Sequence, residues 1–323
     1  MSLFKFIWQA SDSFGKHPNV RRLVVASTVL YNGVSRYNDG TRSVLVIGPS
    51  NSMKGNSTLN SNMRSFVVIP ARYASTRLPQ KMLLNETGKP LIQYAYEAAM
   101  QAQLPSGVCV ATDHADIFDA VQGFGGQVVM TRPDAKSGTD RVAEVAAARP
   151  EVDIFVNVQG DEPEMHPAAI DQVIRLLADH PDLPMATLCT PLRQREQLEN
   201  PACVKVVRDN NLRALYFSRS VIPHPRLWSD DMLAAEPALF YLHLGLYAYR
   251  RDFLLKMGSL PQSPLETTES LEQLRVIANG FPILCGTTEH SSAGIDTPAD
   301  YAAFVEREKN RTLDQRGENH WTG

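Results

Sequence analysis

From Ser65 onward, short apolar runs alternate with stretches in which apolar residues recur every three to four positions. Phe66–Pro70 (FVVIP) is continuous and brief, the pattern of a strand buried on both faces. Residues 90–103 place Leu91, Ala95, Ala98 and Ala102 on one helical face, with Pro90 suited to the first turn. The same rhythm predicts strands over 108–112, 127–131 and 153–158 and helices over 115–123, 139–149 and 167–180. Such alternation predicts an α/β fold built on a doubly wound, mostly parallel sheet. Ligands of these sheets lie beyond the carboxyl ends of the strands. The polar segments after FVVIP and DIFVNV are therefore the first places to look for chemistry.

The middle of the chain reads differently. Residues 185–191, 203–208, 213–217 and 239–250 form strands with few helices between them, predicting a strand-rich antiparallel subdomain over 183–250 and a dimerisation surface. A helix over 267–279, a strand over 282–286 and a helix over 298–309 follow, and the charged tail 310–323 is expected to fray. Residues 1–62 stand apart. VRRLVVASTVLY and RSVLVIG have strand character, but the surroundings are rich in Asn, Ser and Gly. Such segments bury too little area to offset the cost of ordering, so a flexible, dispensable extension is expected. Gly48 and Lys54 fit the spacing of a phosphate loop, but Met53 stands where Gly is needed and Gly55 where Ser or Thr belongs. That reading fails.

Charge sharpens the division. Met1–Arg64 carries eight basic and two acidic residues, which leaves 24 basic and 33 acidic in the body. So acidic a body argues against nucleic-acid partners and requires any bound phosphate to meet a local cluster of cations. Cys109, Cys189, Cys203 and Cys285 form no CxxC pair, and Cys109 and Cys189 sit in apolar runs, as buried thiols do. No apolar run nears the ~20 residues that cross a bilayer, and the first residues lack a signal-peptide core. A cytoplasmic protein without a membrane partner is expected.

Two segments carry candidate chemistry. IPARYASTRLPQK places Arg72, Arg77 and Lys81 within ten residues on the loop leaving the first buried strand, with Ser75 and Thr76 beside them. Arginine forks and a lysine charge there suit a polyphosphate, whereas most such clusters are merely solvated. No GxGxxG exists, which argues against a nicotinamide oxidoreductase. VNVQGDEP presents Asp161 and Glu162 after another buried strand, where a carboxylate serves equally as a magnesium ligand or a helix cap. Asp296 in GIDTPAD has the same two readings, and Pro298 favours the cap.

IPARYASTRLP, ATDH, SGTDR, VNVQGDEP, KVV, ALYFSR, HLGLYAYR, SPLE, LEQLR and DTPAD occur in this order between Phe66 and Phe304. In that order they resemble the 3-deoxy-manno-octulosonate (Kdo) cytidylyltransferases, which join CMP from CTP to an acidic eight-carbon sugar. The resemblance implies that Arg72, Ser75, Arg77 and Lys81 cradle the triphosphate, and that Ser137, Gly138, Thr139 and Gln159 lie near the cytosine and ribose. It implies magnesium on Asp161 and Asp296, with Arg72, Lys81, Asp161 and Asp296 as the catalytic set. Arg219, His243, Tyr247, Glu272 and Gln273 would meet the sugar acid, and the enzyme would be a homodimer. Alone, His243 and Tyr247 read as core, and Glu272 and Gln273 as a solvated helix face. His114, His166 and His290 have no metal-ligand spacing and receive no role. One position departs from the pattern. Gln80 replaces the family's glycine, which predicts a helical or extended turn in place of a positive φ. Sibling substrates, 8-amino-Kdo and sialic acid, and a non-catalytic nucleotide-binding protein remain alternatives.

Overall fold

The computed structural model describes residues 63–318, with side chains through Arg311, and two short strands before them. These strands, β1 (Ser35–Asn38) and β2 (Ser43–Val46), pair antiparallel with Ser35 opposite Val46. β2 lies within the predicted RSVLVIG strand. The other expectations for residues 1–62, VRRLVVASTVLY included, fall outside the described residues.

The body begins at β3 (Ser65–Ala71), all seven residues of which are buried. Burying each Val or Ile side chain here contributes roughly 1.5–3 kcal/mol. There follow α1 (Leu91–Met100), β4 (Pro105–Thr112), α2 (Ala115–Gly123), β5 (Val128–Met130), α3 (Gly138–Ala147), β6 (Ile154–Asn157) and α4 (Pro167–Ala178). Next are β7 (Met185–Pro191), α5 (Arg195–Glu199), β8 (Lys205–Arg208), β9 (Ala214–Ser218) and β10 (Tyr241–Arg250). The chain closes with α6 (Arg251–Met257), α7 (Pro264–Glu269), α8 (Gln273–Ala278), β11 (Ile283–Thr287) and α9 (Pro298–Glu318).

One sheet runs in the order β11-β7-β10-β6-β3-β4-β5, with β8 and β9 attached to β10. β3 is parallel to β4 and β6, β4 to β5, and β11 to β7, while β10 alone on this path runs antiparallel, between β6 and β7. Side chains alternate across it. Val67 and Ile69 join Ile92, Ile117 and Ile170 from α1, α2 and α4 on one face. Phe66 and Val68 join Val142, Phe253 and Leu274 from α3, α6 and α8 on the other. Helices on both faces make the sheet doubly wound, as its strand pattern predicted.

Three expectations need correction. The strands of residues 183–250 do pair antiparallel, β10 with β7 and β8 and β8 with β9, but the group is continuous with the main sheet, inside which β7 and β10 lie. Met185, Leu188, Leu244, Leu246 and Tyr249 are buried, and strands covered on both faces belong in a shared core. The helix expected over 267–279 is two, α7 and α8, broken at Ser270, which adopts a left-handed φ of 52°. The last helix runs through Glu318, past the frayed tail expected from residue 310, supported by Arg307 on Glu164 and Arg311 on Glu308. Among the described residues no helix is long and apolar enough to cross a membrane.

Candidate active site

The site gathers at the carboxyl ends of β3 and β6. After β3 the loop exposes Arg72, which engages no carboxylate among the described residues, and Arg77, whose side chain is 65% accessible. The loop then tightens into a 3-10 turn, Lys81–Leu83, and turns inward, so that the Lys81 side chain is only 7% accessible. Gln80 makes that turn with φ 53° and ψ 29°. The chain keeps the left-handed geometry that glycine would supply freely, contrary to the expectation of a helical or extended turn. A side chain there costs ~1–2 kcal/mol, tolerated because the buried Met82 and the ion-paired Lys81 over-determine the turn.

Lys81 is drawn in by two carboxylates. Its Nζ donates to Asp161 Oδ2 at 2.6 Å and to Asp296 Oδ1 at 3.1 Å, from positions 80 and 215 residues away along the chain. Arg77 reaches the same Asp296 oxygen at 3.0 Å. The Ile295 amide donates to the Asp161 carbonyl at 2.8 Å, tying the two acidic segments together. Gly160 makes the approach possible, since a Cβ there would stand 3.0 Å from Ile92 and 3.3 Å from the Pro70 carbonyl oxygen.

Capping duties fall elsewhere. Thr297 and Asp300 form a reciprocal cap at the start of α9, with the Asp300 amide donating to Thr297 Oγ1 at 3.2 Å and the Thr297 amide to Asp300 Oδ2 at 2.8 Å. His166 caps α4. The carboxylates of Asp161 and Asp296 are thereby left for the cations.

Behind Asp161 the carboxyl of Glu162 is buried and accepts the Ser292 hydroxyl. Burial pushes it up to about 7, Ser292 opposes, and the charges of Asp161 and Asp296 push the same way as burial. Gly245 of β10 passes so close that a Cβ would stand 2.5 Å from Glu162 Oε1 and 3.3 Å from Gln159 Cγ. Ser292 carried no signal in the sequence, because its partner lies 130 positions away, and Gly245 stood within HLGLYAYR without a role of its own.

A second, buried layer adjoins the first. β10 shifts register against β7 between His243 and Tyr247. The Thr187 hydroxyl donates to the Leu246 carbonyl at 2.8 Å, so His243 Nε2, 3.0 Å away, is the donor to Thr187. Burial lowers the His243 pKa to about 3 and holds the ring neutral. Tyr247 is pushed well above its ordinary value by burial first, then by Tyr249, Glu272 and Glu162. Glu272 is also raised by burial, against the hydroxyls of Thr139 and Ser137, and Thr139 Oγ1 donates to it at 2.5 Å. Tyr247 thus feels the charge of both Glu162, on the β6 side, and Glu272, at the start of α8.

The remaining predicted residues separate. Ser137 caps α3 together with Asp140, and Gly138 lies against Pro70, where a Cβ would stand 3.1 Å from its Cγ. Gln159 donates to Asn157 at 3.3 Å, and Gln273 is buried at the start of α8. Ser75 is half-buried on the loop after β3. Arg219 lies outside the group. Its guanidinium donates to the carbonyls of Glu269 and Ser270, at the end of α7, and of Pro201, after α5. A cation there stabilises a helix C-terminus, and no contact joins it to the other predicted residues among the described ones. A cavity of about 1210 Å³ runs along α3 and is lined by Ser137 and Glu272 but not by Lys81 or Asp161. It meets the site only at its buried end.

Cations facing two convergent carboxylates, beside a buried hydrogen-bonding layer, suit transfer of a phosphoryl-type group to a hydroxyl. Comparison with known proteins bears on this. The sequence model of the cytidylyltransferase family matches residues 66–286. The chain is 47% identical over 246 residues to a 3-deoxy-manno-octulosonate cytidylyltransferase of Rhodopirellula baltica, covering 76% of this chain and 98% of that one. It is 51% identical over 235 residues to one of Syntrophotalea carbinolica, covering 72% and 94%. A solved CMP:2-keto-3-deoxy-manno-octonic acid synthetase complexed with CTP superposes with a TM-score of 0.70 at 43% identity, covering 77% of this chain and 99% of that one.

Proposed function

The chain belongs to the cytidylyltransferases, and from that premise we infer that it transfers CMP from CTP to 3-deoxy-manno-octulosonate, releasing pyrophosphate, in lipopolysaccharide synthesis. The observation that carries the mechanism is the meeting of Asp161 and Asp296 on one cation, Lys81 Nζ.

The anomeric oxygen of the sugar attacks the α phosphorus, and the bond from that phosphorus to the bridging oxygen breaks towards pyrophosphate. Arg72, Arg77 and Lys81 offset the charge that grows on the leaving group, and Ser75 adds a hydroxyl donor. Ser137, Gly138, Thr139 and Gln159 border the nucleoside. Tyr247, Glu272 and Gln273 face the sugar's hydroxyls from the buried layer, with His243 holding β10 in place through Thr187.

Asp161 and Asp296 are the residues that would hold magnesium. Their oxygens already converge on one positive centre, and no cluster of three or more His, Cys, Asp or Glu side chains suited to a metal occurs among the described residues. That donor set fits magnesium, which takes one or two carboxylates and completes its shell with phosphate and water. When bound, the ion would lower the pKa of the attacking hydroxyl and draw charge from the α phosphate.

Incubating the full chain with CTP and magnesium, and separately with Kdo, 8-amino-Kdo and sialic acid, tests this. Pyrophosphate should appear fastest with Kdo. Faster release with either other acid would reassign the substrate, and none with all three would leave a nucleotide-binding protein.

A further inference from the structure

Tyr73 lies in the middle of the phosphate loop, between Arg72 and Ser75. Its ring rests on that of His114, with centroids 3.6 Å apart and planes within 9°. His114 follows the neighbouring strand β4, and its Nδ1 accepts the Asp116 amide at 3.2 Å, closing the first turn of α2. A ring nitrogen held by a helix fixes the plane of the imidazole. Between Ala71 and Leu78 the loop stacked on it has few other anchors, since Arg72, Ala74 and Thr76 are exposed and the exposed Arg77 is held at Asp296.

The second loop of the site repeats the device. His166 Nδ1 accepts the Ala168 amide at 3.2 Å and caps α4. Its ring stacks on His290, with centroids 3.7 Å apart and planes within 2°. His290 opens the run that delivers Ser292 to Glu162 and Asp296 to Lys81. At these centroid separations the near-parallel rings lie almost face to face, so each stack holds through the flat area it buries, and here it is directed by a cap that is already rigid.

We propose that His114 and His166 are positioning residues for nucleotidyl transfer. Each turns a helix cap into a platform that sets one of the two loops converging on the transferred phosphate. His114 sets the loop that binds the triphosphate, and His166 sets the loop that bears Asp296. The proposal rests on the functional reading above, and the two fail in distinguishable ways.

Asparagine keeps the capping acceptor and discards the ring, whereas phenylalanine keeps a ring and discards the cap. CTP binding by titration calorimetry, turnover with Kdo, and thermal unfolding are measured on the full chain. His114→Asn should weaken CTP binding about three- to tenfold while the melting temperature holds within about 2 °C. His114→Phe should bind CTP within about twofold of wild type and melt several degrees lower. His166→Asn should leave CTP binding alone and lower kcat about three- to tenfold. Tyr73→Ala removes the other half of the first stack without touching the cap, and should reproduce the CTP loss even if a His114 variant folds poorly. Unchanged CTP affinity in both His114→Asn and Tyr73→Ala would overturn the proposal. Absence of CTP binding by the wild type would overturn the functional reading and the proposal with it.

Discussion

The two ends of the site treat charge in opposite ways. At the loop end, Lys81 and Arg77 pair with Asp161 and Asp296, and the aspartate side chains keep 28% and 46% of their exposure. Charge is neutralised there within reach of water. At the β10 end, burial drives His243, Tyr247 and Glu272 towards their neutral forms. The first arrangement can respond to charge that arrives and moves, as in phosphoryl transfer, because its groups are paired but not sealed. The second offers fixed, buried donors and acceptors, which suits an array of sugar hydroxyls. Glu162 stands between them, a buried acid raised to about 7 beside two partly exposed ones.

The largest test removes the charge of the loop end. Asp161→Asn or Asp296→Asn should lower turnover at least a hundredfold, since losing one such transition-state contact raises a barrier by ~2.7–4 kcal/mol. Both carboxylates are partly exposed, so the melting temperature should hold within a few degrees. The double variant should lose less than the product of the two single losses, because both act on one charge. Near-normal pyrophosphate release by either single variant would remove that residue from the catalytic set.

A smaller effect probes the buried end through pH. His243 takes up its proton near pH 3 in the folded chain and near 6.5 when unfolded. Unfolding therefore binds a proton between those values. The stabilisation from keeping the ring neutral is complete above pH 6.5 and drains as pH falls towards 3, by at most ~1.4 kcal/mol per pH unit. His243→Phe, which leaves the Thr187 hydroxyl its bond to Leu246, should flatten this part of the profile. Urea midpoints measured at pH 6.5, 5.5 and 4.5 would show it. Parallel slopes for wild type and variant would mean that the ring is not held neutral, and the contrast between the two ends would weaken.

Sequence reading reached these ends unequally. The sheet was legible because its strands are apolar on both faces, a pattern that survives without knowledge of partners. Lys81 and Arg77 stood out as a cation cluster because they leave a buried strand whose carboxyl end must face a ligand, whereas Asp161 alone read equally as a metal ligand or a helix cap. Asp296 was ambiguous in isolation, and only its neighbours resolve it, since Thr297 and Asp300 take the cap. The placement of β7 and β10 in the main sheet was missed because antiparallel strands in succession usually form a hairpin of their own. Here β10 returns between β6 and β7, a long-range choice that local pattern cannot express. The three histidines given no role were missed for a related reason. A search for ligand spacing along the chain does not see a ring that caps its own helix and stacks on a residue 41 or 124 positions away, as His114 does on Tyr73 and His166 on His290.

The smallest expected effect concerns backbone strain, which each end carries at one residue: Gln80 beside Lys81, and Ser270 two positions before Glu272. Gln80→Gly removes ~1 kcal/mol of left-handed strain but adds ~0.5–1 kcal/mol of freedom to the unfolded chain. The melting temperature should therefore move by no more than about 2 °C. Gln80→Val is the sharper variant, because a β-branched side chain resists positive φ and the turn that aims Lys81 would have to open. It should cost ~1–2 kcal/mol of stability in urea unfolding and lower turnover more than Gln80→Gly does. If Gln80→Val keeps both wild-type stability and wild-type pyrophosphate release, the left-handed turn is not what directs Lys81 to the two carboxylates. The ion pairs themselves would then be holding the loop.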